Sequence, residues 1–423
     1  MKKFLVVLLS MITSIMIMGN IMDYIPKDYV SITVYKNVAN IYNNLKSTTT
    51  FSFFLDTMGF ESLIKNMLQA QLLSHGLELD DFLSVFSNEI MVVTFDNKDM
   101  CVIAGSSENI DKIVSVLKGI IPQMLGEWIS VEAYEKYVFI AGKKESIEKC
   151  KEGGGTIPEI FPENACAISY SPSLELEDML FSTKAYSLFE NGKVVSEGTI
   201  IPLNQSAKDF LSNLEAVEEG FENMLAGEFT LYFNMKDPVR FLEILTKGLK
   251  EIKQSEISFE VKPLDEEEKE ILENLKEKVH GLGYVALDFH EPLVELMMGA
   301  TEVTTQPKLK ISFKADLTSQ DLEEFFKSGE ISYEKKGNYY IAEEFYVEIK
   351  NGYVNVYYPD SNVSFNPEAL DKVKKHMEGN ESLLLYVDFS KFIENLSGMQ
   401  EEAYILLKLK VINGRIHTSF ILK

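Results

Sequence analysis

The chain has 423 residues, 46% of them hydrophobic and 25% charged, a balance that excludes a disordered protein and gives enough length for two or three domains. Its 41 Lys and Arg face 65 Asp and Glu, and a net charge of −24 excludes nucleic acid as a partner, because that affinity rests on cations displacing phosphate counterions. The same charge opposes docking on anionic lipid.

Lys2 and Lys3 precede an apolar run from Phe4 to Met18 broken only by Ser10, Thr13 and Ser14, which predicts an export signal over residues 1–20. A bilayer-spanning helix needs about 20 apolar residues, and this run reaches that length only with Gly19, Asn20, Ile21 and Met22 included. Cleavage after Gly19 leaves a small residue at the cut. Ile17 departs from the small-x-small pattern, so an uncleaved amino-terminal membrane anchor is the alternative. Both readings place the rest of the chain outside the cytosol, in the periplasm, in the cell envelope or secreted.

Four segments then read as a β-favouring run followed by a helix with a turn-forming or capping start. They are Val30–Tyr35 with Asn37–Leu45, Cys166–Tyr170 with Pro172–Leu180, Phe229–Phe233 with Asp237–Leu245, and Leu383–Val387 with Ser390–Leu396. Asn-Gly pairs at 191–192, 351–352 and 413–414 lie between apolar runs and mark type I′ hairpins, whose two central residues both need positive φ. Counting out from Asn351-Gly352 pairs Ile349 with Val354, Val347 with Val356 and Phe345 with Tyr358, and sets Tyr346 against Tyr357 on the other face. Counting out from Asn413-Gly414 pairs Val411 with Ile416, Leu409 with Thr418 and Leu407 with Phe420, leaving Lys408, Lys410, Arg415 and His417 on a wet face.

Helices are also expected at Phe60–Ser74, Asn109–Leu117, Glu145–Cys150, Glu266–Val279, Gln320–Phe326 and Glu368–Met377, and hairpins around Asp96-Asn97 and over Trp128–Ala141. The order of elements from residue 28 recurs from residue 227. The expected fold is therefore α+β, with predominantly antiparallel sheets and covering helices in two similarly built lobes, a tandem duplication. The lobes span 24–226 and 227–423, and an apolar stripe of Phe210, Leu214, Val217, Phe221 and Leu225 predicts a helix at their boundary. Gly153-Gly154-Gly155 reads as a flexible joint inside the first lobe.

No catalytic, cofactor-binding or metal-ligating residue emerges. The five histidines, His75, His280, His290, His376 and His417, form no HExxH pair. Asp288 and His290, two apart on one strand face with His280 upstream, supply too few ligands for zinc. Asp265-Glu266-Glu267-Glu268 is explained as the capped, acidic first turn of a helix. Gly153–Thr156 lacks the Lys-Ser/Thr ending of a phosphate loop, and no GxSxG elbow occurs. Three cysteines, Cys101, Cys150 and Cys166, allow at most one internal disulfide, and Cys101 and Cys166 sit in apolar runs as small core residues. The 19 tyrosines, among them Tyr339-Tyr340 and Tyr357-Tyr358, suit strands or a binding surface.

The stretch Tyr24-Ile25-Pro26-Lys27-Asp28-Tyr29-Val30-Ser31-Ile32, with a helix leading to Leu45-Lys46-Ser47-Thr48, resembles the mature start of secreted bacterial families of unknown function. The resemblance implies an envelope protein of unassigned role with no catalytic residues to carry over. The expected function is thus non-catalytic: an exported binding or structural module, or alternatively a carrier of an apolar ligand or lipid between sheet and helices, with an unidentified protein or apolar molecule as partner; a hydrolase with a site assembled from distant acidic residues is the third reading.

Overall fold

The computed structural model describes residues 20–74, 76–96, 99–105, 110–125, 129–217, 224–238, 241, 278–297 and 304–423. The leader, His75, Trp128, Phe221, the acidic run at 265–268 and most of the helices expected at 237–245 and 266–279 lie outside the described residues. Two compact units are present, Met1–Ala207 with Ser419–Lys423, and Lys208–Thr418.

The first unit opens with a 3-10 turn at Asn20–Tyr24, then β1 (Ser31–Lys36) and α1 (Val38–Lys46), whose start Asn37 caps by accepting from Asn40 N. Next come α2 (Phe60–Ser74) and α3 (Leu79–Phe86), the hairpin β2 (Glu89–Asp96) and β3 (Asp99–Gly105), and α4 (Ile110–Leu125). The strands β4 (Ser130–Tyr134) and β5 (Tyr137–Ala141) precede α5 (Lys144–Glu152), and β6 (Ala167–Leu176), β7 (Met179–Glu190) and β8 (Lys193–Pro202) continue the sheet. Its order is β4-β5-β3-β2-β1-β6-β7-β8, antiparallel throughout.

Both faces of this sheet are covered, and period-two alternation sorts the side chains between them. Ile32, Val34, Met91, Val93, Cys101, Ile103 and Phe139 meet Ile147 and Cys150 of α5 and Ile21, Tyr24 and Ile25 of the opening turn. Tyr35, Ile90, Ala104 and Val138 meet Leu72 of α2, Val85 of α3 and Ile113, Val114 and Leu117 of α4.

The helix expected at Pro172–Leu180 does not form: β6 continues to Leu176 and returns as β7 through a turn in which Glu177 has φ 56°. Ser171, positioned to cap a helix, instead donates its hydroxyl to Val30 O, and Leu174 pairs with Phe181, so ladder bonds displace the local preference.

The second unit starts with α6 (Gln205–Asn213), of which Lys208 onward belongs to it. The longer helix expected through Leu225 stops at Asn213, because Asn213 O accepts from Asp237 N at 3.1 Å and Asn234 Oδ1 accepts from Val217 N at 3.0 Å. Then follow β9 (Phe229–Asn234), β10 (Val279–Asp288), α7 (His290–Met297), β11 (Lys308–Ala315) and α8 (Ser319–Ser328). Four short strands come next, β12 (Tyr333–Lys336), β13 (Tyr339–Ala342), β14 (Phe345–Lys350) and β15 (Tyr353–Tyr358). The chain closes with α9 (Pro367–Lys374), β16 (Leu383–Asp388), α10 (Ser390–Ser397), β17 (Tyr404–Ile412) and β18 (Arg415–Leu422).

The strand order in this unit is β12-β13-β14-β15-β11-β10-β9-β16-β17, again antiparallel. With β12–β13 set aside as an added hairpin, β14-β15-β11-β10-β9-β16-β17 repeats β4-β5-β3-β2-β1-β6-β7 rank for rank. A capping box of Thr318 and Asp321 starts α8, which lays Leu322 and Phe326 on Tyr340, Val347 and Val354. The middle hairpin has the expected register, Ile349 with Val354, Val347 with Val356 and Tyr346 with Tyr357, and the rings of Phe345 and Tyr358 are in contact.

Candidate functional site

The residues nearest to a chemical site in the sequence, Asp288 and His290, do not share a strand face. Asp288 ends β10, whereas His290 opens α7. Buried Glu228 organises both: its Oε2 accepts from Phe289 N at 2.8 Å and His290 N at 2.7 Å, and its own N–H donates to Asp288 Oδ1 at 3.0 Å. His290 Nδ1 lies against Glu228 Oε1. Burial pushes the His290 imidazole down and the Asp288 carboxyl up from their ordinary values. Asp388 repeats the device at the end of β16, accepting from Ser390 N at 2.9 Å at the start of α10 and pairing with Lys372 Nζ at 2.6 Å. These carboxylates cap helices, satisfying N–H groups that have no intrahelical acceptor.

His280 joins none of this. It lies near the start of β10, a strand length of about 27 Å from Asp288, and meets Asp316 Oδ2 at 2.8 Å. Among the described residues no three potential metal ligands converge.

The glycine run is not a loose joint. Gly155 N donates to Ile25 O at 2.8 Å, and a Cβ on Gly155 would stand 2.0 Å from Pro26 O. Backbone lies on backbone here, which explains the glycine without a phosphate. The tyrosine pairs are also engaged: Tyr340 donates to Glu323 at 2.9 Å and Tyr357 to Glu348 at 2.7 Å.

The feature with no structural account is α2. Phe60, Leu63, Ile64 and Met67 are 44%, 56%, 37% and 58% exposed. Their spacing confines them to about 100° of the helix circumference. Leu68 and Leu72, on the flank of this stripe, already anchor the helix in the core. Lys46 fixes its first turn through Glu61 at 2.5 Å and also pairs with Asp56, which precedes the helix, at 2.8 Å. The exposed stripe is therefore additional to what the fold needs, and a contiguous exposed apolar patch marks a surface of interaction. Its sequence signal was the width of the apolar arc at 60–72, too broad for a helix buried on one side.

Two clefts accompany it. One of about 500 Å³ is lined by Thr304, Thr305, Gln306, Lys308, Pro359 and Asp360 among others. Another of about 510 Å³ is lined by Lys27, Asp28, Tyr29, Gly154, Thr156 and Tyr170 among others. Both are open to solvent and edged by polar groups.

No family model matches the chain, and no curated protein does. Two solved structures of TP0453, crystal forms III and I, are similar at 14% identity, over 49% of this chain and 77% and 76% of theirs, with TM-scores of 0.26 and 0.24. At that level nothing known of TP0453 carries to this chain.

Proposed function

We propose that the chain is an exported, non-catalytic binding protein of the cell envelope, built by tandem duplication of one sheet-and-helix unit, and that α2 is the surface that engages its partner. The exposed stripe of Phe60, Leu63, Ile64 and Met67 carries this reading. Anchors at i, i+3, i+4 and i+7 suit a hydrophobic groove on another protein. A lipid surface fits less well, since an interfacial helix carries several Lys or Arg on its polar face, and α2 offers only Lys65, already paired with Glu61. Export is supported by Lys2 and Lys3 ahead of the apolar run to Met18, and duplication by the repeated strand order. The open, polar-edged clefts lend no support to the carrier reading.

A photo-crosslinking residue at Met67, activated in intact cells, tests the surface. The expected result is a discrete protein adduct that Leu63→Glu abolishes while the melting temperature stays within about 1 °C, as befits an exposed site. Adducts to lipid alone, or none, would overturn the reading. Fusing residues 1–30 to a reporter active only outside the cytosol tests export separately.

A further inference from the structure

Helix α5 and strand β3 meet along two rungs. Ser146 Oγ donates to Asp99 Oδ2, with Lys143 Nζ 3.7 Å from the same oxygen, and this fixes the register of helix on strand. Two residues on along β3, about 6.7 Å away on the same face, stands Cys101; four residues on along α5, about 6 Å away on the same face, stands Cys150. The matched spacings bring the two side chains together, and each thiol neighbours the other. Both cysteines are 0% exposed within one cluster with Ile103, Phe139 and Ile147. Opposite Cys101 in β5 is Ala141, a small residue of the same cluster. Cys166 precedes β6 and is not a member of that cluster, and burial pushes its thiol up to about 11.

We propose that Cys101 and Cys150 form a disulfide that pins α5 to the sheet, and that Cys166 remains a thiol. The oxidant is a small or protein disulfide. One cysteine thiolate attacks it, breaks its S–S bond and displaces one thiolate; the second cysteine thiolate then attacks the mixed disulfide and displaces the other. Each protein thiol gives up its proton, the two displaced thiolates take up two, and the oxidant leaves reduced by two electrons. The neighbouring Cys150 thiol and burial hold Cys101 protonated in the folded chain, so the exchange takes place while the chain folds. In cells the proposal rests on the export reading, because an oxidising compartment is what sustains such a bond.

The test is to refold the purified full chain in a glutathione redox buffer, alkylate it and digest it without reduction. The expected product is lighter by about 2 Da before alkylation, carries one alkylated cysteine, Cys166, and yields a Cys101–Cys150 linked peptide. Reduction should lower the melting temperature by roughly 10 °C, since the bond closes a loop of about 50 residues. Cys166→Ser should keep that difference and Cys150→Ser should abolish it. Three alkylated cysteines, or a bridge through Cys166, would overturn the proposal. Chain recovered reduced from cells, with the refolded protein bridged, would sink the export reading and leave this pairing standing.

Discussion

Lys410 brings a charge into the core of the second unit. It is 8% exposed, its Nζ pairs with Glu378, and Glu381 Oε1, itself fully buried, lies 3.6 Å away. Strand alternation predicts a wet face for Lys408 and Lys410, but residues 376–381 fold across it: Lys408 Nζ reaches His376 O at 3.4 Å and Glu378 at 2.9 Å. The apolar residues counted for the opposite, buried face, Leu407, Leu409 and Val411, are only half-buried, while Leu406 is 0% exposed. Glu381 keeps two backbone donors, Glu378 N at 2.6 Å and Gly379 N at 2.9 Å, whatever stands at 410. Lys410→Ala should therefore strand a buried carboxylate at a cost of about 3 kcal/mol, and Glu381→Gln in that background should recover part of it. Denaturant midpoints of the two variants check this; equal midpoints would mean that Glu381 does not need the cation.

At the scale of elements, α2 is held to α1 by a carboxylate whose titration is readable. Lys46 and Lys65, with the Tyr42 hydroxyl, hold Glu61 at about 2, below its ordinary 4.5. A depressed carboxyl contributes stability that is fully present above the unfolded value and is lost as pH falls through the folded one. Glu61→Gln should thus cost about 1 kcal/mol at neutral pH, and the gap to the parent should close between pH 4.5 and about 2. Amide exchange within α2 at both ends of that range measures it, and a gap that persists at pH 2 would contradict the assignment. The helix itself was legible as Phe60–Ser74 because fifteen residues run without a proline or glycine. The Asn-Gly hairpins were legible because Asn351 and Gly352 adopt φ 54° and 76°, a local demand that only such residues meet cheaply. Pro172–Leu180 misread because its helix cues are local and the ladder to β7 that overrides them is not. Glu228 and the Cys101–Cys150 pair were hidden for the same reason: each acts on residues about 50 or 60 positions away, which spacing alone does not reveal.

The molecule as a whole has two units whose strands follow the same order, with one set of core residues around Ile32, Ile103 and Phe139 and another around Phe326, Val347 and Val354. Core residues of its own in each unit make separate cooperative units the expectation. Each unit also offers a position where an added methyl has nowhere to go. A Cβ on Gly155 would meet Pro26 O at 2.0 Å in the first, and one on Gly281 would meet Met235 O at 1.1 Å in the second. Met235 N is also bonded to Gly281 O at 2.7 Å, so neither backbone can retreat without breaking that contact. Each Gly→Ala change should cost about 2 kcal/mol or more by forcing backbone apart. Calorimetry of the full chain should then resolve two transitions, with Gly155→Ala lowering one and Gly281→Ala the other. If both substitutions shift a single transition together, the units fold as one cooperative block, and the repeated strand order describes their architecture without describing how they melt.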